Sequence, residues 1–190
     1  MTKQTRILYL TGSWLVSTIA VVLVITSLCF FVNIPTASWQ FPASFILTGA
    51  LYYYTEKDRS DWKPIFVKAL LYCLAIIVLS IVIALQFYDI SYDGQTYHME
   101  GIYQLREGWN PFYELLPKMN DLTIYINHYS KGAEVPQSAL YSLIGRIEAG
   151  KATNIMMLTG TFCILLAYLL DLKKLSLIKC LLISLAAVLN

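Results

Sequence analysis

From Tyr88 to His98 the chain reads Tyr-Asp-Ile-Ser-Tyr-Asp-Gly-Gln-Thr-Tyr-His, which brings two carboxylates, Asp89 and Asp93, close to an imidazole. Those residue types offer three kinds of chemistry. A carboxylate can take a proton from a hydroxyl as a general base. Carboxylate oxygens are the ligands that magnesium and manganese take. A histidine holds a phosphate when it is protonated and otherwise steadies a loop by hydrogen bonding. The cluster directly follows an apolar run, residues 65–87, long enough to cross a bilayer. Charge at the mouth of a membrane span is costly, so an acidic cluster there points to a functional site. Asp89, as a carboxylate at a helix end, has a plain solvent-exposed reading, although the helix dipole disfavours it.

The next basic residues of interest are Arg146 and Lys151, just before another apolar run. They stand where a lipid phosphate would be met, and attraction to anionic headgroups accounts for them equally well. His128 has no such company and reads as a loop residue. Glu100, Glu107, Glu114 and Glu148 read as solvated faces, and Trp109, Phe112 and Tyr113 as membrane-interface anchors.

These residues must be positioned by membrane helices. The chain is 57% hydrophobic and 14% charged, against roughly 25% charged in soluble domains. The expected class is all-α, a polytopic transmembrane protein. A net charge of +2 without a basic, aromatic-interleaved run gives no basis for nucleic-acid binding. Cys29, Cys73, Cys163 and Cys180 all lie in apolar segments without metal-ligand spacing, and read as small packing residues.

Five apolar segments stand out, at about 7–32, 38–55, 65–87, 153–170 and 175–190. The first is too long for a signal peptide and reads as a retained anchor. Pro35 punctuates the first hairpin. If every segment crosses, Lys3, Arg6, Lys57, Arg59, Lys63, Lys173 and Lys174 share one side, which the positive-inside rule makes cytoplasmic. Three regions follow: 1–87 with three spans, an extracytoplasmic loop 88–152 carrying the acidic site, and 153–190 with two more spans. Within the loop, 96–107 and 137–149 read as short amphipathic helices suited to the headgroup plane. The last segment is short for a crossing, and the chain reads as the front portion of a larger cell-membrane protein.

Asp93-Gly94-Gln95-Thr96-Tyr97-His98 resembles the Asp-x-x-x-Tyr-His signature in the first outer loop of bacterial GT-C-type membrane glycosyltransferases. The stretch Leu105-Arg106-Glu107-Gly108-Trp109-Asn110-Pro111 is similar to the continuation of that loop. Ile147-Glu148-Ala149-Gly150-Lys151-Ala152-Thr153-Asn154 resembles its approach to the next helix. The resemblance covers about 88–154. It implies a polytopic enzyme that moves a sugar from a polyprenyl-phosphate donor to an acceptor hydroxyl. A loop carboxylate would be the base, Asp93 by its motif position or Asp89, with burial near the membrane raising its pKa. Tyr97, His98, Arg146 and Lys151 would meet the substrates, and Asp89 and Asp93 would hold magnesium or manganese if a metal is used. Family members often have one span before this loop, whereas three apolar segments precede it here. The competing expectations are a non-catalytic protein handling lipid-linked glycans, as a transporter, flippase or polymerase does, and a degenerate subunit. Neither sugar nor acceptor is specified.

Overall fold

The structure, a computed structural model, describes residues 1–119 and 121–189. It is helical, with no strand among the described residues. Eight α-helices follow in order: α1 Lys3–Phe31, α2 Gln40–Glu56, α3 Trp62–Ala84, α4 Met99–Arg106, α5 Thr123–His128, α6 Glu134–Ile144, α7 Ala152–Asp171 and α8 Leu177–Leu189. A π-helical turn, Gly94–His98, leads into α4, and a 3-10 turn, Ile147–Lys151, leads into α7. Among the described residues, three helical stretches are long and apolar enough to cross a membrane: Lys3–Phe31, Trp62–Ala84 and Ile147–Asp171. The chain has the make-up of a membrane protein.

At 1.5 Å per residue, α3 reaches roughly 35 Å, whereas α2 reaches about 26 Å and α8 about 20 Å. Helix α3 ends at Ala84, three residues before the end of the apolar run. The acidic cluster is thereby separated from α3 by a turn at Leu85–Gln86 and irregular backbone.

The chain divides into two compact units. The first comprises Met1–Thr18, Phe45–Ser80 and the chain from Asn154 onward. Its packing centres on Trp14, which stacks on Phe45 at 5.1 Å and tilts against Phe66 at 5.2 Å. The indole N–H donates to the Phe45 carbonyl at 3.1 Å. Gly49 makes room for it, since a Cβ there would lie 2.3 Å from the indole ring. Gly12 of α1 and Gly160 of α7 face each other as closely, because a Cβ on Gly12 would fall 2.4 Å from the Gly160 carbonyl oxygen. Small residues let apolar helices approach where no hydrophobic difference drives them together. Polar cross-links add to this, with Thr18 and Thr48 hydroxyls at 3.0 Å and Ser17 and Tyr52 at 2.9 Å.

One end of this unit is tied by charge. Arg6 donates to Glu56 at 2.5 Å and to Asp61 at 2.7 Å, and the N-terminal ammonium meets Asp171 at 3.1 Å. The start of α1, the loop after α2 and the end of α7 therefore gather there.

The second unit comprises Ile19–Ser44 and Ile81–Thr153. Buried Gln40 closes the first hairpin: its Oε1 accepts from Thr26 and the Ala37 N–H at 3.1 Å each, and its Nε2 donates to the Pro35 carbonyl. Phe30, Leu105, Trp109, Ile126 and Val135 form the apolar core. Helix α4 packs on α6, and α6 on the 3-10 turn. Ile102, Leu105, Ala139 and Leu140 are buried, so much of the apolar face expected for the headgroup plane is used within the unit. Gly145 ends α6 in the left-handed region at φ 81°, a conformation glycine reaches without Cβ strain.

Trp109 departs from the sequence expectation. It is a core residue, 5% exposed, with its indole N–H on the Glu114 carbonyl at 3.0 Å, rather than an interface anchor. Phe112 and Tyr113 are exposed. All four cysteines are buried and free.

Candidate functional site

The acidic cluster is a turn followed by a π-helical turn. Asp89 accepts two hydrogen bonds on the same oxygen, from the Ser91 N–H at 2.9 Å and the Ser91 hydroxyl at 2.7 Å. An aspartate bonding the backbone two residues on is the usual chemistry of such turns. The Ser91 oxygen then accepts from the Gly94 N–H at 3.0 Å, and Gln95 reaches back to the Asp89 carbonyl. Gly94 brings the backbone close to Asp89: a Cβ there would stand 2.3 Å from a carboxylate oxygen and push that side chain aside.

The π-helical turn then alters the spacing. The Met99 N–H bonds the Gly94 carbonyl five residues back, an irregularity frequent at functional sites. Asp93 is exposed, and its carboxylate lies near enough to Tyr97 to disfavour loss of the hydroxyl proton. His98 follows with its ring 4.3 Å from that of Tyr97. Tyr97 also lies 5.7 Å from both Tyr125 and Tyr129, so three tyrosines surround this part of the loop.

Charge is arranged around these side chains. The two Ser91 donors, more than the nearby Lys151 and His98, hold the Asp89 carboxyl below its ordinary value. The rise expected of a base near the membrane is therefore not found at Asp89. Desolvation, then the neighbouring Asp93 carboxylate, raises the Tyr97 hydroxyl. Lys151 donates to the Phe87 carbonyl, just past the end of α3. The lysine thus links the approach to α7 with the approach to the acidic turn.

Asp89, Asp93, Tyr97, His98 and Lys151 are drawn together by this arrangement. Arg146 is turned elsewhere: it is half exposed and pairs with Glu148 at 3.5 Å. Glu148 is accordingly part of a pair and not a free solvated acid.

No protein-family model, curated protein or solved structure significantly matches this chain.

For a metal, no group of three or more His, Cys, Asp or Glu side chains converges among the described residues. Asp89 already gives one oxygen to Ser91. Magnesium held by one or two carboxylates takes its remaining ligands from waters and substrate phosphates rather than from a protein cage.

Glu134 carries no mark in the sequence of what it does. It is the one charged residue that is buried among the described residues, and its Oε1 lies 2.9 Å from His98 Nδ1. The two are 36 positions apart. A glutamate just before Val135-Pro136 gives only a first-turn helix signal, so nothing local reveals the pairing.

Proposed function

We propose that this chain is, or is the front part of, a membrane glycosyltransferase acting on the extracytoplasmic face. A polyprenyl-phosphate sugar is the donor, and Asp93 is the base. The acceptor hydroxyl gives its proton to Asp93 as its oxygen attacks the anomeric carbon, and the carbon–oxygen bond to the lipid phosphate breaks. Lys151, and His98 when protonated, offer positive charge to the phosphate as it leaves, and Tyr97 stands beside Asp93.

The observation that carries the reading is the gathering of Asp93, Tyr97, His98 and Lys151 beside the end of an apolar helix. Asp93 is the better base of the two aspartates because it is exposed, while Asp89 is held in its ionised form by Ser91. Five crossings, with α2 and α8 as the short ones, go with this proposal, as do loop helices whose exposed Tyr103, Leu143 and Ile144 meet the headgroups. Sidedness draws support from the charge-tied end of the first unit, where the N-terminus meets the α7 end and Arg6 meets the loop after α2. That end is assigned to the cytoplasm.

Sugar transfer in membranes carrying the chain, or a longer parent, tests the reading with labelled polyprenyl-phosphate sugars. Asp93→Asn is expected to reduce transfer by at least about a hundredfold, the contribution of a general base, with insertion unchanged. Transfer at the wild-type rate in that variant would remove Asp93 from the mechanism. One observation favours a second reading, a non-catalytic protein that handles lipid-linked glycans: the carboxylate of Asp89 serves its own turn. Absence of transfer from a well-inserted parent across a broad donor panel would favour it.

A further inference from the structure

Glu134 is a buried ionisable group that the proposed transfer does not use. An ionised carboxylate taken out of water is costly unless it is paired and hydrogen-bonded. Its position in the first turn of α6 helps, because the positive end of the helix dipole favours an acid there. Its side-chain partner is His98, through Nδ1 at 2.9 Å. Lys131 is near enough to feel the Glu134 charge, yet its ammonium donates to the Tyr129 carbonyl at 2.8 Å and lies 5.9 Å from the Trp109 ring.

The His98 ring is thus held on two sides. Glu134 takes Nδ1, and Tyr97 lies against the ring. Asp89 faces it electrostatically from the turn. The side chain is 43% exposed, and Nε2 has no hydrogen-bond partner among the described residues.

We propose that Glu134 is a positioning residue for His98: it fixes the ring through Nδ1 and leaves Nε2 free to donate to a phosphate oxygen. When the imidazole is protonated it donates from both nitrogens, inward to the carboxylate and outward to the phosphate. A ring already held loses little freedom when the ligand arrives. Carboxylate partners orient metal-binding histidines in the same manner. The inference rests on the reading of this loop as the place where a lipid-linked phosphate is met. The shared chemistry is an anionic phosphate group, carried on a prenyl lipid or free in solution.

The full chain in phosphatidylcholine nanodiscs, with ¹⁵N-labelled histidine, allows a direct test by NMR, with geranyl phosphate and inorganic phosphate as probes. The Nε2 resonance of His98 is expected to shift saturably. Response to geranyl phosphate alone identifies a lipid-linked source, and response to both identifies the phosphate group itself. No response to either overturns the proposal. Glu134→Gln is expected to weaken binding about tenfold, in line with the loss of one charge-assisted hydrogen bond. On a His98→Asn background it is expected to add nothing, since Glu134 acts through the ring. An undiminished affinity in Glu134→Gln, or a further loss on that background, overturns the proposal. Should Glu134→Gln fold poorly, His98→Asn alone decides: binding as tight as wild type overturns it. Failure of sugar transfer with this binding pattern intact would remove only the enzymatic reading. Transfer that persists while the two variants act independently would remove only the role of Glu134.

Discussion

Ser91 gives both of its donors, the backbone N–H and the hydroxyl, to a single oxygen of Asp89. Because the folded carboxyl is held below its ordinary value, its contribution to the turn is complete above that value. It is lost as the pH falls through the lower, folded value. Ser91→Ala removes the hydroxyl, so the Asp89 titration seen by carboxyl ¹³C NMR is expected to move up toward the ordinary carboxylate value. An unmoved titration would transfer the effect to the Ser91 backbone N–H, which the variant keeps, and to Lys151 and His98. Gly94→Ala tests the same turn by crowding. A methyl 2.3 Å from the carboxylate must displace Asp89, and the variant is expected to lower transfer although it replaces neither Asp93 nor His98. Asp89 and Asp93 were legible as a cluster from their spacing alone. Their separate duties were not, because these depend on which neighbouring hydroxyl bonds which carboxylate.

Among the elements, α1 and α7 approach most closely where Gly12 meets Gly160. Gly12→Val is expected to destabilise the protein by about 1–3 kcal/mol, the usual cost of forcing volume into a packed contact. Thermal unfolding in detergent would read this as a lowered Tm, and an unchanged Tm would mean that the helices can separate freely at this point. The existence of the long helices was readable from apolar runs, and their ends to within a few residues: the run at 153–170 became α7, Ala152–Asp171. The glycine contact was not readable, since residues 148 positions apart carry no local sign of meeting. The π-helical turn at Gly94–His98 escaped for another reason. A five-residue hydrogen-bond step has no distinctive side-chain period over one turn. Helix α5 lies in a stretch with too few apolar residues to give a period, and its Ile126 is fixed by the Phe30 and Leu105 cluster.

At the scale of the molecule, the proposed orientation can be checked by placing one new thiol at a time. The four native cysteines are buried, which keeps background labelling low. In sealed right-side-out vesicles, Ser130→Cys is expected to react with an impermeant maleimide, and Ser60→Cys only after permeabilisation. The opposite pattern would invert the topology and place the acidic turn in the cytoplasm. The Lys and Arg distribution made this prediction available from sequence, whereas the tertiary ties that accompany it, such as Arg6 with Glu56 and Asp61, were not. One such tie also bears on synthesis. The end of α1 is finished by Asn110, whose side-chain nitrogen donates to the Phe30 carbonyl at 2.9 Å and to the Asn33 side chain at 3.0 Å. The two ends of the first bond lie 80 residues apart in the chain. A ribosome adding roughly 5–20 residues per second needs on the order of 4–16 seconds to span that distance. For that time the Phe30 carbonyl has only the nearby Asn33 N–H, at 3.0 Å, and its second donor comes with the segment that carries Asn110.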